Sequence, residues 1–128
     1  AEVRRYLSRL PVSAHELEGR TYFSLGAAAQ PQGGIPRCIF LAGFDPLLLG
    51  YEKRESLFLR PEDMRGIFNL AGIVYPALLI DGRVAGRWNK KGRRLRAELF
   101  SPLPRSARAA AEAAAARLWG EGLELEFV

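Results

Sequence analysis

The sequence predicts an α+β domain: a small curled antiparallel sheet or partial barrel of about six or seven strands, with one long C-terminal helix and one short helix. Three observations carry this reading. Residues 93–100 alternate strictly, with Leu95, Ala97 and Leu99 on one face and Arg94, Arg96 and Glu98 on the other, the pattern of a strand buried on one side only. Asp81-Gly82 stands between two apolar-rich runs, the strongest short-range signal for a hairpin. Arg105 to Trp119 is alanine-rich and is followed by Gly120, which reads as a helix with its stop residue.

The remaining elements follow in chain order. Val3, Tyr6, Leu7 and Leu10 have helical spacing, which Pro11 ends. His15 to Leu25 reads as a hairpin turning at Glu18-Gly19. The segment 26–36 is almost entirely Gly, Ala, Gln and Pro without periodicity, and a flexible loop is expected there. Arg37 to Ala42 reads as a buried strand, and Asp45-Pro46 as a turn. Pro61-Glu62-Asp63 has the chemistry of a helix start, since proline suits the first turn and acids suit the positive end of the dipole. That short helix would turn Met64, Ile67 and Phe68 inward. Ile73 to Ile80 is the most β-prone run, with Pro76 marking an edge or a bend. Strands over 77–80, 83–88 and 94–99 then make a meander, with Asn89-Lys90-Lys91-Gly92 as its second reverse turn. On the long helix Ala107, Ala111, Ala114 and Leu118 form one stripe, whose small residues would allow close approach to the sheet. Leu123, Leu125 and Phe127 alternate with acids in a terminal strand that would close the sheet.

At 128 residues and 48% hydrophobic, the chain fits one domain with its own core, 1–128. No apolar run reaches the roughly 20 residues of a membrane span. Arg4, Arg5 and Arg9 interrupt the first apolar stretch, unlike a secretion signal. The single cysteine, Cys38, cannot form an internal disulfide and reads as a small core residue; a cytoplasmic protein is the simplest expectation. The chain starts at Ala1 rather than Met, and a C-terminal piece of a longer protein is expected.

Candidate chemistry is concentrated in the basic residues. The net charge is +5, and Arg83, Arg87, Lys90, Lys91, Arg93, Arg94 and Arg96 follow one another without an intervening acid. A lysine-tipped turn flanked by arginines, with Trp88 beside it, suits a phosphate backbone and places an aromatic ring near a base or sugar. The bland reading is a solvated hairpin whose charges discourage edge pairing. In Phe44-Asp45-Pro46-Leu47-Leu48-Leu49-Gly50-Tyr51-Glu52-Lys53-Arg54, Asp45 best serves to cap its own turn, while Tyr51 and Arg54 are open to phosphate, which Arg holds bidentately. His15 is the sole histidine, and without acids or cysteines at ligand spacing no metal site is expected. No serine lies in a Gly-x-Ser-x-Gly setting and no glycine loop has the lysine of a phosphate cradle, so no catalytic residue and no cofactor is assigned.

The Phe44–Arg54 run, followed downstream by Leu79-Ile80-Asp81-Gly82-Arg83-Val84-Ala85-Gly86-Arg87-Trp88, resembles the C-terminal part of the bacterial winged-helix DNA-binding proteins that include the interstrand-crosslink-repair DNA glycosylases. The resemblance spans roughly Arg37 to Leu118. It implies a β-rich module that accompanies N-terminal winged-helix domains and contacts double-stranded DNA through Tyr51, Arg54, Arg83, Arg87, Trp88, Lys90, Lys91 and Arg93, while base chemistry is done elsewhere. Family members often carry an acid where Lys53 stands, which puts an acid role there in doubt. The glutamine pair of these glycosylases lies in their N-terminal region, and Gln30-Pro31-Gln32 is not assigned that role. Two other readings stay open: a structural module packed on the winged helices, and a contributor to a base-excision pocket through Asp45, Tyr51 or Arg54.

Overall fold

A computed structural model describes residues 2–26, 33–52 and 56–128, with the side chains of Glu2 and Arg4 excepted. They fall into two compact units, Ala1–Gly34 and Ile35–Val128. The expected loop over 26–36 lies largely on 27–32, outside the described residues.

In the first unit a short helix, α1 (Glu2–Leu7), precedes the hairpin of β1 (Val12–Leu17) and β2 (Arg20–Leu25). Val12 pairs with Leu25 and Leu17 with Arg20, so the turn is Glu18-Gly19 as the sequence predicts. Both turn residues have positive φ, 49° and 74°, which matches the strand twist in a two-residue hairpin. His15 Nε2 and the Ser24 hydroxyl hydrogen-bond across the strands at 2.9 Å, and the Thr21 hydroxyl donates to Glu16 at 2.5 Å.

The second unit holds β3 (Cys38–Leu41), α2 (Pro46–Leu49), a 3-10 turn (Pro61–Asp63) running into α3 (Met64–Ile67), β4 (Ala77–Ile80), β5 (Arg83–Lys91), β6 (Arg94–Leu99), α4 (Arg105–Trp119) and β7 (Glu124–Phe127). Its sheet has the order β3-β4-β5-β6-β7. The seven strands and the long helix agree with the predicted α+β class. The predicted curl or barrel does not form: the strands divide into a two-stranded and a five-stranded open sheet, whose edge strands β3 and β7 do not pair with each other. Nor is the larger sheet purely antiparallel, because α4 carries the chain back and β7 lies parallel to β6, the expected result of a helical crossover. The terminal strand therefore extends the sheet instead of closing it.

Cross-strand partners share a face, which sorts the sheet into two sides. One side carries Cys38, Leu78, Ile80 and Ala97 and packs on Ala107, Ala111 and Ala114 of α4. The other carries Leu41, Ala77, Leu79 and Val84 and packs on Leu48, Leu59, Ile67 and Phe68. Met64, Ile67 and Phe68 thus face inward as expected. Leu118 does not join the helix stripe; it is 57% exposed, and Ala115 is buried in its place. The buried stripe passes through Ala111 and Ala115 toward Trp119, whose ring packs on Phe40 and Trp88 of the sheet, and Leu118 lies to one side of it.

Local chemistry explains three further departures. Asp45-Pro46 begins a helix, α2, that the sequence reads only as a turn: the Asp45 carboxylate accepts the Leu47 N–H at 2.9 Å, an N-cap with proline in the first turn. The strand expected from Ile73 starts only at Ala77, since Pro76 has no N–H to donate, although Val74 still bridges Phe68. The reverse turn expected at 89–92 is tighter: Asn89 pairs with Arg96, Lys90 with Leu95 and Lys91 with Arg94, so β5 runs on to Lys91 and only Gly92-Arg93 turn. The Asp81-Gly82 turn is as predicted, with φ of 49° and 78°.

Candidate nucleic-acid interface

The β5–β6 hairpin gathers the predicted basic residues, but it does not leave all of them available. Its strand alternation places Trp88 and Lys90 on the α4 side, and Arg87, Asn89 and Lys91 on the opposite side, beside Arg94, Arg96 and Glu98. β7 then adds Glu124 next to Arg94 and Glu126 next to Arg96. The run that looks free of acids in sequence is, in the sheet, interleaved with three carboxylates.

Arg87 is engaged on two sides. Its Nε and a terminal nitrogen lie 2.6 and 2.5 Å from the Glu98 carboxylate, and its guanidinium sits 5.0 Å from the centre of the Tyr75 ring, within cation–π range. Trp88 is an internal strut. Its indole Nε1 donates to the Leu41 carbonyl at 2.9 Å, and its ring packs against Phe40 and Trp119 with centroids 5.8 and 5.3 Å away. The ring is thereby partly buried among its neighbours. Arg93 turns back to the Gly122 carbonyl, to which Nε and Nη2 donate at 2.9 and 2.7 Å. Arg94 reaches Glu124 at 3.3 Å in a largely exposed pair.

Lys90 and Lys91 remain. Both are exposed at the end of β5, and among the described residues neither side chain forms a hydrogen bond or ion pair, nor do those of Arg83 and Arg96. Arg83 opens the same strand, and eight steps of about 3.3 Å put it roughly 25 Å from Lys91. It therefore belongs to the far end of the strand and not to the lysine tip. Tyr51 is exposed, with its ring 5.9 Å from that of Phe58. Arg54 and Lys53 lie outside the described residues, as do Gln30 and Gln32.

Other candidates have structural duties or no partners for chemistry. The Asp45 carboxylate serves its helix cap, as the sequence suggests. Cys38 is buried on β3, and burial pushes its thiol up to about 11, so it is not a nucleophile near neutral pH. Among the described residues no three His, Cys, Asp or Glu side chains gather as metal ligands, and no helix is long and apolar enough to cross a membrane. Sequence reasoning missed Glu98 and Gly122, the partners of Arg87 and Arg93. The alternation over 93–100 shows Glu98 to be on the arginine face, but only the strand register shows which arginine it meets.

The second unit is an α+β module with a cationic hairpin. The chain belongs to the DNA glycosylase AlkZ-like family, whose sequence pattern matches residues 1–120. It is 34% identical over 76 residues to the interstrand DNA cross-link repair glycosylase of Streptomyces sahachiroi, a stretch covering 57% of this chain and 20% of that protein. The solved structure of the Streptomyces sahachiroi DNA glycosylase AlkZ superposes with a TM-score of 0.73 at 28% identity, over 99% of this chain and 37% of that one. The chain thus spans well under half the length of these relatives.

Proposed function

We propose that this chain is the DNA-gripping, non-catalytic part of a glycosylase-type repair protein, in which the end of the β5–β6 hairpin contacts the duplex backbone and winged-helix domains outside this chain complete the enzyme. The observation that carries the reading is the adjacent pair Lys90 and Lys91 at the end of β5, exposed and, among the described residues, without a side-chain partner. Neighbouring residues of a strand point to opposite faces, so the two ammonium groups straddle the hairpin and suit successive phosphates along one strand. Enzymes that extrude a base need such a hold on the flanking backbone. Arg96 extends the contact along β6. Arg87, Trp88 and Arg93, each bonded to a partner within the chain, support the hairpin more than they touch DNA.

The test is fluorescence anisotropy of the chain with a labelled duplex across a salt series, beside a Lys90→Glu/Lys91→Glu variant. Binding should fall steeply with salt, and the variant should lose about two units of slope, near one per phosphate contact. No binding at low salt by a chain shown to be folded would sink the proposal.

One observation favours a second reading, a module that packs on winged-helix domains. Phe44, Leu70 and Ile73 are exposed on loops of the second unit, and apolar loop residues of this kind suit a protein contact. The lysine variant would then leave DNA affinity unchanged.

A further inference from the structure

The turn residue Arg93 shares the exposure of Lys90 and Lys91 but not their freedom. Its guanidinium fork closes on one acceptor, the Gly122 carbonyl, with both bonds under 3 Å, and the Glu124 N–H donates to the Arg93 carbonyl at 2.8 Å. The tip of the β5–β6 hairpin is thereby tied, through side chain and backbone, to the loop between α4 and β7. Gly122 is fitted to this contact: its φ is +84°, and a Cβ built there would collide with the Arg93 guanidinium. A lysine in place of Arg93 has no planar fork with which to make the same paired contact.

We infer that Arg93 is a positioning residue of the DNA clamp and not one of its phosphate ligands: the Arg93–Gly122 contact fixes the hairpin tip and so sets where Lys90 and Lys91 stand before DNA arrives. This rests on the proposed clamp. Its physical basis is preorganisation, since a tip already ordered loses less freedom on binding than a mobile one. The role falls on a residue pair about thirty positions apart in sequence and joined only by the parallel docking of β7.

Three variants of the full chain separate the possibilities: Arg93→Ala removes charge and fork, Arg93→Lys keeps the charge and removes the fork, and Gly122→Ala keeps every charge and displaces the fork. Each is checked for a cooperative melt, then measured for amide exchange at residues 89–94 without DNA and for duplex affinity, with Lys90→Glu/Lys91→Glu alongside. Positioning requires faster exchange at the tip in all three, and similar losses of affinity of about three- to tenfold, the cost of immobilising one or two long side chains at binding. Unchanged tip exchange in Arg93→Lys and Gly122→Ala overturns the inference. So does a loss of affinity confined to Arg93→Ala with about one unit of salt slope, which marks a direct phosphate contact. Should the lysine variant weaken binding while these three do not, positioning fails and the clamp stands. Should the lysine variant also bind normally, the clamp fails and takes the positioning role with it.

Discussion

Arg87 shows how a residue type suited to phosphate is diverted by a neighbour eleven positions away. In sequence it belongs to a basic run without acids, and that run ends two residues before Glu98. Antiparallel pairing then sets Arg87 directly opposite Glu98. Removing the acid should release the cation: Glu98→Gln is expected to steepen the salt dependence of duplex binding by up to one unit. It should cost at most about 1 kcal/mol in a urea melt, because the pair is partly exposed and screened by solvent. Cys38 makes a prediction of the opposite kind. Burial raises its thiol from near 9 to about 11, so at pH 8 the folded protein should react with a thiol reagent about a hundredfold more slowly than the unfolded chain, from thiolate fraction alone. The linkage has a definite sign. Between pH 9 and 11 the folded state keeps a proton that the unfolded state has lost, so this group's contribution to stability is intact below pH 9 and declines as pH rises through 11. A Cys38→Ala variant should lack that alkaline decline; an equal decline in both proteins would assign it to other groups.

Among the elements, legibility followed periodicity. The alanine helix, the strand over 94–99 and both tight turns were readable because each repeats a local rule over several residues or uses a dipeptide whose φ values leave few alternatives. Where one residue decides, reading fell short. α2 depends on a single carboxylate cap and occupies only Pro46–Leu49, too short for a helical period to register. The end of β5 depends on a partner strand, and Asn89-Lys90-Lys91 has turn-like composition until β6 pairs with it. Helical spacing puts Leu118 in the buried stripe, but spacing alone cannot tell whether Leu118 or its neighbour Trp119 turns to the sheet, and it is Trp119 that packs on Phe40 and Trp88. The buried part of that stripe gives its own test. Ala107 and Ala111 are fully buried against the sheet, so Ala111→Leu must push α4 away or force strained rotamers, at a cost of about 1–3 kcal/mol. The same change at exposed Ala113 should be nearly neutral, and urea melts of the two variants should differ accordingly.

At the scale of the whole molecule, charge and compactness divide alike. Residues 1–34 hold four arginines and three glutamates, while the other fifteen cations and eleven acids lie in 35–128. The second unit also contains the long helix, the five-stranded sheet and both buried clusters. Its two packed faces come from residues spread over Cys38 to Phe127. The first unit, by contrast, keeps Val3, Tyr6, Leu10, Leu17, Phe23 and Leu25 exposed, and a lone two-stranded hairpin is at best marginally stable in water. A chain trimmed to 35–128 should therefore still melt cooperatively. Both tryptophans report on it, since Trp88 and Trp119 pack on each other and on Phe40 inside this unit. The expected result is an unchanged tryptophan emission maximum and near-UV circular dichroism relative to the full chain. A red-shifted emission or a broad transition in the fragment would mean that the N-terminal hairpin belongs to the same cooperative unit. Because the lysine tip also lies within 35–128, a folded fragment with the duplex affinity and salt slope of the full chain would locate the clamp there. A folded fragment that had lost its affinity would assign the grip to the N-terminal hairpin instead.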